Sequence, residues 1–221
     1  MSTSPTAHNP VDEILKETEL GTFIANNKTP IIGFVVAVIL GVFAWGGYTN
    51  FKSNKNDELG AVVFNFKQSS YKQLVDKKLT TTEFATAYKA MASGVAGFDG
   101  LVPFAIIASD EITNQNDLNS ALSILETVKE VKNPYMVYFV HSRMAVLKED
   151  LGQTDKAIES LERIVKANVK IMESKTYLDL GRLYLKSGNK EKAKTSFQFV
   201  IDNMGQAEFV KLARLYLSEM E

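Results

Sequence analysis

Hydrophobic residues in this chain follow two patterns, one continuous and one periodic. The continuous pattern covers Pro30 to Tyr48, nineteen residues without a charged side chain, inside a longer uncharged window between Lys28 and Lys52. A helix over that window is about 35 Å long, enough to cross a hydrocarbon core of about 30 Å. Lipid offers no partner to an open backbone N–H or C=O group, so a single span must be helical. We therefore predict a transmembrane helix over residues 29–51.

A cleaved signal peptide is the alternative interpretation of this segment. The residues before it include the acidic side chains Asp12, Glu13, Glu17 and Glu19. A signal peptide instead begins with a short basic region, and its apolar core spans only about 7–15 residues. These differences favour an uncleaved anchor.

Small residues recur within the predicted span at Gly33, Ala37 and Gly41, four positions apart and therefore on one helix face. Such a face lets a second transmembrane helix approach closely. Glycine and alanine are also common in membrane helices that pair with nothing, so both interpretations stay open. Lysines are divided too evenly between the two sides of the span for the positive-inside rule to fix its orientation.

After the span, apolar residues recur every three or four positions, which predicts an all-α chain without strands. For residues 1–28 we expect a tail, either loosely ordered or containing a short amphipathic helix. Residues 52–100 are expected to form juxtamembrane helices and a degenerate repeat, in which Thr80 and Glu83 predict a capping box. Residues 101–221 are expected to form helical repeats closed by a C-terminal capping helix.

A packing motif repeats every thirty-six positions in the C-terminal half of the chain. The aligned small residues are Ser109, Ala145 and Gly181, a second small set is Ala121, Ala157 and Ala193, and the aligned turn residues are Asn116, Gly152 and Gly188. Small residues at facing positions let the two helices of a hairpin pack closely, and neighbouring hairpins bury the remaining apolar face. The sequence therefore predicts a solenoid of helical hairpins.

Composition leaves little room for chemistry. The net charge is −1 and there are no cysteines, which excludes disulfides, thiolate metal sites and cysteine nucleophiles. The two histidines are His8 and His141, and the register of His141 predicts a side chain packed between helices. We interpret the acidic pairs Asp110–Glu111 and Glu149–Asp150 as solvated helix faces. We therefore predict no enzyme activity, no cofactor, no metal site and no binding of nucleic acid.

The first helix of each predicted hairpin supplies the candidate binding surface. We expect a mixed polar groove that binds an extended or helical protein partner. Tyr135, Tyr138 and Phe139 could also line it, although packing between helices is the other interpretation of these rings. The candidate groove residues are Asp110, Asn114, Ser142, Val146, Arg182 and Lys186.

The last copy of the motif resembles the tetratricopeptide repeat in its spacing, with Tyr177 where tryptophan is common. In related repeats a lysine and asparagine clamp holds acidic chain ends, but here Ile106, Asp110, Ser142 and Val146 stand at those registers. The resemblance therefore implies protein binding but not an acidic chain end as the ligand.

The order of segments also resembles the YfgM-like family, ancillary subunits of the SecYEG translocon. The resemblance covers roughly residues 28–204 and rests on two segments, FNFKQSSYKQLVDKKLTTTEFATAYKAMA and GVAGFDGLVPFAIIASDEITNQNDLNSALSILETV. It implies a bacterial inner-membrane protein with a cytoplasmic N-terminus and a periplasmic repeat domain. Its partners would be the Sec translocon, a periplasmic chaperone and membrane lipid. The alternative function is an envelope scaffold that organises another inner-membrane complex.

Overall fold

The computed structural model describes Phe23 and residues 27–203 and 205–220. The predicted tail over residues 1–28 therefore lies almost entirely outside the described residues. The chain divides into two compact units, Met1–Asp57 and Glu58–Glu221. Helices supply the regular secondary structure throughout the described ranges.

The helix α1 spans Lys28–Phe66 and contains the apolar segment identified from the sequence. It continues without a break beyond residue 51, where the sequence predicted the end of one helix. Among the residues that can be described, no helix combines the length and the apolar character needed to cross a membrane.

A π-helical turn over Lys67–Tyr71 follows α1, and the remaining helices come in close succession. They are α2 (Lys72–Val75), α3 (Thr81–Gly94), α4 (Leu101–Asn114), α5 (Leu118–Leu125), α6 (Pro134–Asp150), α7 (Thr154–Lys166), α8 (Glu173–Lys186), α9 (Lys190–Asp202) and α10 (Ala207–Ser218). A 3₁₀ turn over Glu126–Val128 extends α5. The helices α4/α5, α6/α7 and α8/α9 form three hairpins, and α10 packs against the last one.

The capping box predicted at the start of α3 is confirmed. The Thr80 hydroxyl accepts a hydrogen bond from the Glu83 backbone N–H at 3.3 Å. The Glu83 carboxylate accepts one from the Thr80 backbone N–H at 3.0 Å. These bonds satisfy two donors that a helix start would otherwise leave open, so the box fixes where α3 begins.

The predicted turns between the paired helices are also confirmed. Asn116, Gly152 and Gly188 have φ angles of +63°, +74° and +82°, in the left-handed region that ends each first helix. Glycine adopts this conformation freely and asparagine tolerates it, which explains the residue types at these aligned positions. The described residues of the second unit thus form an all-helical solenoid of tetratricopeptide-like hairpins.

Aromatic side chains form the core where α1 and α3 meet. The Phe66 ring centroid lies 5.6 Å from that of Phe84 and 6.2 Å from those of Tyr88 and Phe104. Tyr71, in the π-helical turn, adds a ring 5.6 Å from Phe104. Phe84 and Tyr88 are fully buried, so this cluster fills the start of the array with bulk.

The last hairpin is packed differently, because a glycine lets its two helices approach closely. Gly181 on α8 faces Phe197 on α9 so closely that a Cβ atom at Gly181 would overlap the ring. At the aligned positions the earlier hairpins carry Ala145 with Leu161 and Ser109 with Leu125. Among the three aligned pairs, the small residue is therefore glycine only where the facing residue is phenylalanine.

The helix α6 contributes to two separate hydrophobic cores. Its residues Val140, Met144 and Leu147 belong to the core that contains the aromatic cluster. Val137 and Ala145 belong to the core of the last hairpins. His141 is buried between these side chains, as its register predicted, and its Nε2 lies 2.9 Å from the Lys129 carbonyl oxygen.

Candidate protein-binding groove

A groove of about 290 Å³ runs across the first helices of the three hairpins. Its walls come mainly from α4, α6 and α8, with Leu161 of α7 at its floor. The polar side chains that line it are Ser109, Asp110, Thr113, Tyr138, Ser142, Arg143, Glu149, Lys175, Asp179 and Arg182. We call this surface the ion-pair groove, because pairs of opposite charge join its helices.

The first pair links α4 to α6. The Arg143 guanidinium donates from Nε to the Asp110 carboxylate at 2.9 Å and from a terminal nitrogen at 3.1 Å. Arg143 also donates to the Phe139 carbonyl oxygen at 3.2 Å. Two parallel bonds from a planar guanidinium fix orientation as well as distance, so this pair sets how α4 and α6 meet.

The second pair links α6 to α8 and involves two cations. Both terminal nitrogens of Arg182 donate to the Glu149 carboxylate, at 2.6 and 2.7 Å. Lys186, one turn later on α8, donates to the same carboxylate at 3.1 Å. The hydrogen bonds from Arg182, reinforced by Lys186, lower the pKa of Glu149 to about 2. Glu149 therefore stays ionised at any physiological pH.

A third pair, within α8, joins Lys175 to Asp179 at 2.6 Å. With it, each charged side chain that lines the groove in the described part of the chain has an opposite charge in contact. The groove is therefore polar but locally neutral. A ligand charge that entered it would have to displace one of these partners.

The structure brings four of the six predicted groove residues together. Asp110, Ser142, Val146 and Arg182 all line the ion-pair groove. The predicted residue Lys186 is not in its wall but reaches the Glu149 carboxylate from the edge.

The predicted residue Asn114 lies elsewhere. It is the last residue of α4 and lines a different depression, together with Lys77 and Gln115. Although it follows Asp110 by one helical turn, Asn114 therefore does not contribute to the ion-pair groove.

Sequence reasoning missed four charged residues of the groove, Arg143, Glu149, Lys175 and Asp179. The interpretation of Glu149 as a solvated residue was wrong, because only 18% of its side chain is exposed and it is held by two cations. Asp110 is half exposed but is also paired. Both interhelix pairs join residues thirty-three positions apart, a spacing that could have been searched for as acid and arginine at a fixed offset.

Apolar side chains are exposed on the same face of α6. Tyr135 and Phe139 are 58% and 39% exposed, and Val146 in the groove wall is 56% exposed. Their spacing of four and seven residues places them along one side of the helix. Phe139, which the sequence left between groove and core, is thus available to a partner.

The residues described include no site for a metal ion. Within residues 27–203 and 205–220, no three His, Cys, Asp or Glu side chains come together in a way that could hold one. The buried His141 ring packs between helices and contacts the Lys129 carbonyl. What the arrangement offers is a surface of paired charges and exposed apolar side chains.

The second predicted face lies on α1, in the first unit. Ala37 and its neighbours Gly33 and Gly41 are exposed, and a Cβ atom at either glycine would meet nothing within 4 Å. Among the described residues, nothing occupies the space beside these two glycines.

Comparison with known proteins agrees with this architecture. A family model described as a tetratricopeptide repeat-like domain matches residues 22–221. The solved structures similar to this chain include the crystal structure of MamA protein, at 16% sequence identity, with 65% of this chain and 73% of that chain covered and a TM-score of 0.45. No curated protein matches the sequence. Since the family model covers nearly the whole sequence, the chain belongs to the tetratricopeptide repeat-like domain family.

Proposed function

We propose that this chain is a membrane-anchored adaptor that binds other proteins through the ion-pair groove. The observation that carries the proposal is the groove itself, which collects exposed side chains from the first helices of three successive hairpins. Such a surface suits an extended or helical polypeptide, because contacts are distributed along a line instead of converging on one point.

The anchor is the apolar segment of α1. Its support is the uncharged sequence Pro30 to Tyr48 and the side chains of Phe34, Phe43 and Trp45, each more than 70% exposed on the helix. Large apolar side chains exposed along a helix need a non-aqueous surrounding or a partner. The proposal of an anchor also counts Ile31, Ile32 and Val35, three apolar residues of the same segment. Their side chains lie outside the described part of the structure.

The partner that we propose is the Sec translocon of a bacterial inner membrane. The N-terminus would be cytoplasmic, and the periplasmic groove would help to pass newly translocated chains to a chaperone. The support for this assignment is the resemblance of segment order and sequence to the YfgM-like family. A scaffold that organises another membrane complex is the second candidate, favoured by the open face at Gly33, Ala37 and Gly41.

Affinity purification of the full chain in mild detergent separates these functions. We expect a tag after Glu221 to recover translocon subunits together with a periplasmic chaperone. Recovery of an unrelated membrane complex in their place would support the scaffold and overturn the translocon assignment. Replacing Gly33, Ala37 and Gly41 by leucine should reduce recovery of the translocon subunits, while Phe139→Ser should reduce recovery of the chaperone.

Orientation needs an independent test. A reporter enzyme fused after Glu221 that is active only outside the cytoplasm should be active under this proposal. A reporter that is active only in the cytoplasm should stay silent at the same position. The reverse pattern would place the repeats in the cytoplasm and contradict a periplasmic role.

A further inference from the structure

The charges of the ion-pair groove are already used within the chain. Asp110 and Arg143 hold each other across α4 and α6, and Lys175 holds Asp179 on α8. Each pair neutralises a charge that could otherwise attract a charged ligand. A segment that carries acidic or basic residues would therefore lose its hydration without gaining a free partner.

Glu149 stands where the carboxylate of a ligand would bind. Arg182 presents its two terminal nitrogens and Lys186 its ammonium, one turn apart on α8, which is a suitable arrangement for a carboxylate. Both cations donate to Glu149 at 2.6 to 3.1 Å. The position is thus filled by a residue of the preceding repeat.

Exposed apolar side chains remain available beside these pairs. Tyr135, Phe139 and Val146 lie on one side of α6, and Ile107, 43% exposed, lies one turn before Asp110 on α4. Asp110 binds Arg143, so Ile107 and Phe139 each lie one turn before a member of the same interhelix pair. From Tyr135 to Val146 the strip is about 16 Å long, the length of about five residues of extended chain.

We propose that the groove binds uncharged, apolar segments of extended polypeptide, and that Glu149 determines this specificity by occupying the Arg182 and Lys186 site in place of an acidic ligand. The inference rests on the proposed function and defines its ligand class. Alternate side chains of an extended segment lie on Tyr135, Phe139 and Val146, while the paired charges leave no free partner for an acidic or basic competitor. Removing Glu149 converts the groove to a carboxylate-binding one.

Two fluorescent peptides, acetylated and amidated, test the proposal with the full chain in lipid nanodiscs. The apolar probe alternates serine with leucine or phenylalanine over nine residues, and the acidic probe carries aspartate in place of the apolar residues. We expect the wild-type chain to bind the apolar probe at least tenfold more tightly. Equal affinities, or a preference for the acidic probe, would overturn the proposal.

Variants assign the effect to residues. Phe139→Ser should weaken binding of the apolar probe at least fivefold, whereas Leu215→Ser, 52% exposed on α10, should not. Glu149→Gln should strengthen binding of the acidic probe at least tenfold, and the added change Arg182→Gln should remove that gain. No gain in the folded Glu149→Gln variant would reject the role of Glu149, and thermal unfolding by circular dichroism checks that it folds.

A photo-crosslinking residue at Val146 identifies the occupant without relying on Glu149. Adducts with the apolar probe that unlabelled probe suppresses support the proposal, and links between two copies of this chain overturn it. The affinity purification distinguishes failure of this inference from failure of the proposed function. If the proposed function is wrong, the purification recovers no partner. If only this inference is wrong, the purification still recovers partners, but the chain binds the two probes equally.

Discussion

The aromatic cluster and the last hairpin of the second unit solve the same packing problem by opposite means. Where α1 meets α3, the rings of Phe66, Phe84 and Tyr88 fill the space between the helices. Where α8 meets α9, Gly181 removes a side chain so that Phe197 fits against the backbone. Large side chains can fill the aromatic cluster from several positions, whereas the contact between α8 and α9 requires a small residue at one position.

This difference explains why the repeat motif is strong at one end of the chain and faint at the other. A pattern of small residues at a fixed period persists only where close backbone approach depends on it. In the aromatic cluster the same volume can be supplied from several positions, including Tyr71 in the π-helical turn. The periodic pattern of small residues is therefore lost there, although the aromatic side chains still form a buried core.

The largest expected effect comes from emptying the aromatic cluster. Phe84 is fully buried, so Phe84→Ala should lower the free energy of unfolding by about 3–5 kcal/mol, through lost burial and a residual cavity. Urea titration followed by circular dichroism measures the change. Phe199→Ala is the matched control, since this half-buried ring only stacks on Tyr177 and should cost less. Equal losses would contradict the idea that the large buried rings stabilise the aromatic cluster.

The last hairpin should instead fail when a single methyl group is added. Gly181→Ala places a Cβ against Phe197 and should cost about 1–3 kcal/mol by overpacking. Phe197→Leu, which recreates the Ala145 and Leu161 combination of the preceding hairpin, should restore part of the loss. A double-mutant cycle in urea measures the coupling between the two positions. Strictly additive effects would show that the two sites do not depend on each other.

The junction between the two cores should be sensitive to acid through His141. Burial lowers the pKa of His141, and the charges of Arg163 and Lys148 oppose the effect of the Lys129 carbonyl and Glu130. The unfolded chain then binds the proton first, so stability is complete above the ordinary pKa of about 6.5 and falls as pH decreases below it. The slope should reach at most about 1.4 kcal/mol per pH unit.

Urea titrations between pH 7.5 and 5 measure this slope, and His141→Gln provides the comparison. Glutamine can still donate to the Lys129 carbonyl but does not titrate in this range. We expect the variant to lose most of the difference between the two ends of the range. An unchanged slope would assign the acid sensitivity to other groups.

A smaller effect is expected at the contact between the degenerate repeat and the next hairpin. Asp117 caps α5 by accepting from the Ser120 backbone N–H at 3.0 Å, and it accepts from the Thr81 hydroxyl at 2.7 Å. Burial works to raise the pKa of Asp117, but the bonds from Ser120 and Thr81 outweigh it and lower the pKa. Asp117→Ala should cost about 1 kcal/mol, as for other lost helix caps.

The same urea titration measures the loss at Asp117. Asp155→Ala, an exposed residue in the first turn of α7, is the control and should change stability little. A similar loss in both variants would assign the effect to the helix dipole in place of the cap.

The sequence supports the hairpins better than the groove. Asn116, Gly152 and Gly188 recur because a left-handed backbone is required at each turn, and such a local requirement is visible in one sequence. The pairs Asp110–Arg143 and Glu149–Arg182 depend on how two separate helices are rotated and shifted, which the register of one hairpin does not define. For the same reason Asn114 was assigned to the groove, although in the structure it lines a different depression at the end of α4.

The shared position of α6 has a consequence for what a bound partner does to the whole array. This helix supplies side chains to both interiors and presents Phe139 and Val146 outward. A polypeptide that binds to the exposed side of α6 stabilises the folded helix, and both hydrophobic cores require α6 to be folded. Binding of a polypeptide should therefore raise the melting temperature of the whole array in one cooperative transition. A bound client would thus stabilise the protein that binds it.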